Sequence, residues 1–319
     1  MTHALLLGIG FGLALAAGAA GALVLRMVPP GAARAPALAA LGLPAIVLGL
    51  TSIHLIPAFW AECTPLSGPD ALVIAGWSLL AAGSAAAGLI SGLRRLLLAE
   101  SLLGRVPVLA DSLLGEKVEV LAGRLGVAPP AIRVVGLNRP LVVSGGLRRP
   151  AVVVSRWVLE HLDEAELEAV FAHELAHLAR RSQAILWLGR LLRDGLWYIP
   201  SGRYAFRVLA GAEELGADEA AVGLTGRPLA LAGALGRVWA GFSRSTAAGL
   251  NGLIGEEGDG GRLLEVRLSR LLRGTEKPGP WQTGPVVAVA VTGAALALAW
   301  QILGLAAEAL PVVCQFGNF

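Results

Sequence analysis

Four apolar stretches, at about residues 4–25, 37–58, 71–93 and 284–306, run without a single Lys or Arg inside them. Each is long enough, at about 1.5 Å per residue, to carry a helix across the roughly 30 Å hydrocarbon core of a bilayer. With 55% hydrophobic residues, 15% charged residues and a mean hydropathy of +0.67, the chain departs from soluble composition in the same direction. An integral membrane protein with four transmembrane helices is the resulting expectation. The first stretch has no basic residue before it and is long for a signal-peptide core, so it reads as a true span.

Charge then orients the spans. All 26 Lys and Arg fall either between the first two stretches, at Arg26 and Arg34, or between Arg94 and Lys277. The N-terminal residues, the loop from Ala61 to Asp70 and the tail from 307 to 319 carry none. By the positive-inside rule both termini and that loop face outward, and the segment 94–283 is cytoplasmic in a multi-pass inner or plasma membrane protein. The pI of about 9.3 is thereby explained by topology and an anionic inner leaflet, with no direct nucleic-acid partner required. The two cysteines, Cys63 and Cys314, both fall on the outer side. They are either a disulfide tying that loop to the tail or two unpaired thiols.

The cytoplasmic segment is long enough to bury its own core. Asp111 to Leu125 has helical periodicity. The short β-branched runs Ile132–Val135, Leu141–Val143 and Ala151–Val154 are separated by turn residues and predict a small sheet. Asp163 with Glu166 three residues on forms a capping box, opening a helix that runs to about Arg181. This helix carries His173-Glu174-Leu175-Ala176-His177. On a helix the two imidazoles stand one turn apart on one face and can reach one metal ion, while Glu174 is placed to take a proton from a water beside it.

A third ligand is expected downstream, and the acidic cluster from Glu213 to Glu219 is the candidate. Glu214 and Asp218 are four apart and share a helix face, so Glu214 could bind the metal while Asp218 hydrogen-bonds a ligand histidine. The other reading is a solvated acidic face, which is the expectation for Glu213 and Glu219. Leu141, Val142, Val143 and Ser144 are the candidate edge strand for holding an extended peptide, although a purely structural edge fits equally. Gln183 to Pro200 is apolar but contains Arg190, Arg193 and Asp194. Each Arg at the bilayer centre would cost roughly 2.5–3.5 kcal/mol, which favours a helix on the membrane face with Trp187, Trp197 and Tyr198 near the headgroups. A helix buried in the soluble core is the alternative. Gly249 to Gly261 reads as a loop, and Leu263 to Leu272 as a helix leading to the fourth span. His54 reads as a packing residue near the outer end of span two and His161 as solvated. Tyr198, Tyr204 and Arg207 are candidates for stabilising an oxyanion.

The chain resembles the membrane zinc metallopeptidases of the BlaR/MecR antirepressor type. The resemblance rests on three spans, a cytoplasmic metal domain and a fourth span. Locally it rests on RPAVVVSRWVL, FAHELAHLARRS, the step Trp197-Tyr198-Ile199-Pro200, and EELGAD. It implies an α+β zincin-like domain with a small sheet and one Zn2+ ion held by His173, His177 and Glu214. It also implies Glu174 as the base and Asp218 as the family's acidic residue behind the ligands. Ser182 stands where these proteins often have Asp, and Ala217 where they often have Cys. Ala before Asp is more typical of the similar CAAX-prenyl-protease and HtpX types, but the short step from His177 to Glu214 leaves no room for two further full spans. The segment after the last stretch is short, so the outer penicillin-binding sensor domain is expected to be absent. The implied activity is zinc-dependent cleavage of a protein substrate at the cytoplasmic membrane face, a transcriptional repressor being one candidate. HtpX-like quality control, or a zinc-stabilised scaffold or sensor component without turnover, are the alternatives.

Overall fold

The computed structural model describes residues 2–53, 68–108, 113–146, 150–246 and 260–273. The fourth apolar stretch, Cys63, Cys314, His54 and most of the Gly249–Gly261 segment lie outside them. In chain order the helices are α1 (Thr2–Met27), α2 (Arg34–Ile53), α3 (Gly68–Arg105) and α4 (Leu113–Leu125). Three strands follow, β1 (Ala131–Val135), β2 (Val142–Gly145) and β3 (Ala151–Ser155). The chain then continues through α5 (Arg156–His161), α6 (Glu164–Ala179), α7 (Ser182–Gly195), α8 (Ser201–Thr225), α9 (Pro228–Thr246) and α10 (Gly260–Arg273). Two compact units emerge that are not consecutive in sequence. Over the described residues, one gathers 1–93 and 187–210, and the other 94–186 and 211–279.

In the first unit, three helices are long and apolar enough to cross a membrane, over Leu7–Met27, Arg34–Ser52 and Leu72–Leu98. These correspond to the first three stretches read from sequence. The turn between α1 and α2 is a single 3-10 turn at Pro30–Ala32, where the missing N–H of proline costs nothing at the first helical position. The two helices then run antiparallel in close contact. A Cβ on Gly21 would stand 3.1 Å from the Ala40 backbone, and Gly10 lies against Thr51. Polar groups on these apolar helices are satisfied locally: Thr51 Oγ1 donates to Val47 O at 2.8 Å, Ser52 Oγ to Leu48 O at 2.8 Å, and Trp77 Nε1 to Ser52 Oγ at 3.0 Å.

The second unit is built around the sheet, in the order β1-β3-β2. β3 is buried along its whole length, as its unbroken Ala-Val-Val-Val-Ser run requires of a central strand. β1 pairs with it in parallel, Ala131 opposite Ala151, and β2 antiparallel, Val142 opposite Val154. β2 is therefore an edge. Val152 and Val154 pack into one core with Val118 and Leu121 of α4, Phe171 and Leu175 of α6, and Leu231 of α9.

The capping box read from sequence opens α6: Glu166 N donates to Asp163 Oδ1 at 2.9 Å, and Asp163 N to Glu166 Oε2 at 3.1 Å. Such a cap is worth about 1 kcal/mol. The helix ends where Arg181 takes φ 54°, a left-handed conformation that stops the helix and lets α7 begin at the next residue. The end of α8 has a simpler cause: Gly226 at φ 69°, followed by Pro228.

Candidate metal centre

Two helices of the second unit supply the site. α6 presents His173 and His177 one turn apart, and α8 presents Glu214 and Asp218 in the same relation. Nε2 of His177 lies 3.1 Å from Nε2 of His173, and each Nε2 lies 3.5 Å from an oxygen of Glu214. The two distances run to different Glu214 oxygens, Oε2 for His173 and Oε1 for His177. One ligand atom from each residue lies within 4.8 Å of the others, close to the roughly 3.3 Å separation that a tetrahedral ion with bonds of about 2.0–2.1 Å imposes. Among the described residues these three form the group of His, Cys, Asp and Glu that could hold a metal ion. Two imidazoles and one carboxylate match the preferences of zinc, and three protein ligands leave a fourth position open. The fit is good.

Behind the triangle, Nδ1 of His173 is 3.0 Å from Asp218 Oδ1, at a slant rather than along a straight hydrogen bond. This contact turns Nε2 toward the shared centre. Asp218→Asn should therefore weaken zinc binding about 10- to 100-fold, measured by competition with a chromogenic chelator.

Charge inside the centre is tightly coupled. Burial on its own would push His173 down, but the Asp218 and Glu214 carboxylates beside it more than reverse this and hold it at about 9. His177 is pushed down, by burial and then by the charge on His173 beside it. The two neighbouring imidazoles are thus shifted in opposite directions. Burial works to raise both Glu214 and Asp218. The bond from His173 and the Arg267 guanidinium overcome it and hold both carboxyls well below their usual range.

Arg267 was not among the residues singled out in the sequence. It reaches in from α10, donating to Asp218 from Nε at 2.8 Å and from Nη2 at 2.7 Å, while Nη1 stands 2.9 Å from Glu214 Oε2. One planar cation thus holds both carboxylates in fixed positions. The signal that could have found it is an arginine in register with Leu264 and Leu271, on the side of α10 that turns inward.

Glu174 is also buried, with 8% exposure, and its Oε2 accepts the Ser144 N–H at 2.6 Å. The candidate edge strand therefore lies beside the HELAH helix. Leu141 joins its ladder through Ser155 N to Leu141 O at 2.8 Å, one residue before β2 begins. Since Ser144 points its N–H away from β3, antiparallel alternation makes Val142 point its N–H and C=O the same way, while Val143 faces its partner in β3. The Ser144 C=O accepts Gln183 Nε2 at 2.5 Å, so Val142 is the residue of the run with outward backbone groups for a substrate.

The expectation that Glu213 is solvated fails. It is fully buried, accepts a hydrogen bond from Ser182 Oγ and has Arg180 Nη2 at 3.7 Å. Adjacent helical positions differ by about 100°, so Glu213 faces the α6–α7 turn while Glu214 faces the histidines. Gly216 leaves room for the Arg180 guanidinium, which a Cβ there would force to shift. Glu219 is exposed as expected and pairs with Arg270 at 2.6 Å. His161 is likewise exposed, stacked on Trp157 at 4.3 Å. The oxyanion candidates Tyr198, Tyr204 and Arg207 belong to the first unit.

Residues 71–227 match the family described as BlaR1 peptidase M56. That stretch contains His173, Glu174, His177, Glu214 and Asp218, and ends before Arg267. The chain is also similar to the protease HtpX homolog of Acidiphilium cryptum, 30% identical over 156 residues, covering 38% of this chain and 54% of that protein. The protease HtpX homolog of Methanopyrus kandleri is 30% identical over 175 residues, 44% of this chain and 55% of the relative. Protease HtpX homolog 1 of Streptomyces coelicolor is 30% identical over 163 residues, 40% and 53% respectively. The chain spans about half the length of these relatives. The family match and these names support a membrane metallopeptidase.

Proposed function

We propose that the chain is a zinc-dependent endopeptidase that cleaves a protein substrate at the cytoplasmic face of the membrane. The observation that carries this reading is the donor triangle of His173, His177 and Glu214 with Glu174 buried beside it. Zinc bound there would supply Lewis-acid activation of water and of the scissile carbonyl. The protein's own part is to hold the substrate and move protons. The outward backbone of Val142 pairs with an extended peptide, fixing its carbonyl beside the metal position. Glu174 takes the proton from the attacking water and delivers it to the departing amine. Asp218 keeps His173 in the orientation that offers Nε2, and Arg267 keeps Glu214 and Asp218 ionised and in place.

Charge asymmetry supports the topology proposed with this function: four spans, both termini outside and the metal-bearing segment 94–283 in the cytoplasm. Two substrate classes follow. The resemblance to the BlaR/MecR antirepressor type implies a transcriptional repressor and that to the HtpX type implies quality control of membrane proteins; the family match and the names of the relatives are compatible with both.

The test is proteolysis by the full chain in lipid nanodiscs. Zinc-loaded protein is expected to fragment β-casein, to lose that activity with 1,10-phenanthroline and to regain it on zinc addition. Loaded protein that cuts neither casein nor any protein of a membrane extract would instead support the zinc-stabilised scaffold. Mapping new protein N-termini in cells separates the two peptidase readings, one cut DNA-binding protein pointing to a repressor and many cut membrane proteins to quality control.

A further inference from the structure

We infer that residues 187–210 form a re-entrant hairpin immersed in the bilayer, with Trp197 at its tip against lipid acyl chains. In sequence this segment lies between the two halves of the metal centre, but the inference concerns the first unit alone and does not depend on the peptidase reading.

Depth is the first argument. α7 runs antiparallel to α3: Trp187 Nε1 donates to Gly92 O at 3.0 Å, and eight residues on, a Cβ at Gly195 would stand 3.3 Å from Ser84 O. Close approach is possible because Gly88 has no side chain; a Cβ there would be 2.9 Å from Leu191 O and 3.2 Å from Gly195. After the turn, Ile199 and Ser201 press on Gly18 of α1, next to Pro44 of α2. Gly18, Pro44 and Ser84 each lie within one residue of the middle of the apolar windows Leu7–Met27, Arg34–Ser52 and Leu72–Leu98. Tyr198 goes further along α1, packing on Phe11 at 5.9 Å, and Phe11 meets Trp77 at 6.3 Å. Leu196 and Tyr198 close over Ala14, Val47 and Leu48. A helix lying on the membrane face would touch the spans only at one end, whereas this segment meets α1 and α3 near their midpoints and packs on a cluster that includes Val47 and Leu48 of α2.

Charge is the second argument, and it removes the objection raised from sequence. Arg193 and Asp194 pair at 2.7 Å, and Ser91 Oγ on α3 donates to the other Asp194 oxygen at 2.7 Å. The guanidiniums of Arg193 and Arg190 lie 4.6 Å and 5.6 Å from the ring centre of Phe206, on the returning helix α8. Ionisable groups at membrane depth are found in this arrangement, paired with one another and turned toward protein. Two faces are left outward. The apolar one carries Trp197, 64% exposed, and Leu188, 44% exposed. The charged one is on α8, where Arg203 and Arg207 stand exposed one turn apart and would have to line water or protein rather than acyl chains.

The test measures depth. In the full chain carrying Cys63→Ser and Cys314→Ser, a bimane is placed by Trp197→Cys, Leu188→Cys or Met27→Cys, the last an exposed position at the end of the first apolar window. After reconstitution in phosphatidylcholine vesicles, quenching by lipids brominated deep in the acyl chain is compared with quenching by headgroup nitroxide lipids. The ratio of deep to headgroup quenching is expected to be at least about threefold higher at 197 than at 27, with 188 between them. A ratio at 197 equal to that at 27, or efficient quenching of 197 and 188 by aqueous iodide, would overturn the hairpin.

Discussion

Glu174→Gln should leave zinc bound and reduce cleavage by roughly 10²- to 10⁴-fold, the range associated with losing a positioned proton-transfer group. The substitution isolates the chemistry because glutamine keeps an oxygen able to accept the Ser144 N–H that Glu174 accepts at 2.6 Å. Neither ligand histidine nor Glu214 changes, so metal content by mass spectrometry and the unfolding temperature should stay at wild-type values. The amide is not basic, so it cannot take the proton from water. Cleavage retained at the wild-type rate with zinc bound would remove Glu174 from the mechanism.

Arg267→Leu is expected to have the largest effect on stability. It leaves the buried Asp218 and the half-buried Glu214 without the guanidinium that contacts both, His173 being the positive partner that remains. Removing one partner from a fully buried ionic cluster costs about 3–5 kcal/mol, and the loss here should lie below that range because Glu214 is partly exposed and His173 still faces both carboxylates. The loss should be greatest in metal-free protein and smaller with zinc, since the ion supplies positive charge to the same carboxylates. Thermal unfolding in nanodiscs, with zinc and with chelator, reads this difference directly. Equal losses in both conditions would mean that Arg267 stabilises α10 packing rather than the carboxylate pair.

Much of this molecule is legible along the chain because the decisive signals are local. The strand runs around Ile132, Val142 and Val152 are short, β-branched and bounded by turn residues, and the three strands form at those positions. Asp163 and Glu166 specify a helix start through bonds to backbone only three residues away. The spacing of His173 and His177, and of Glu214 and Asp218, is one helical turn, so each pair shares a face whatever surrounds it. Three long apolar helices follow from composition alone.

Other features depend on neighbours that no local pattern names. Glu213 and Glu214 are adjacent and chemically identical, and only the position of the α6–α7 turn makes one a buried partner of Ser182 and the other a neighbour of the histidines. Arg267 lies 49 residues from Asp218 in sequence, and its register among leucines gains meaning only when α10 packs on α8. The segment around Arg193 has the same amphipathic pattern whether its charges face water or one another. Ser91 and Phe206 decide between the two. Sequence by itself determined the three helices long and apolar enough to cross a membrane, the small sheet and the residue types of a candidate metal centre, because periodicity and hydrogen bonding over a few residues dictate them. Tertiary structure alone decided which carboxylate meets the histidines, which cation holds it there and where the hairpin's charges point, because those depend on contacts between segments far apart in the chain.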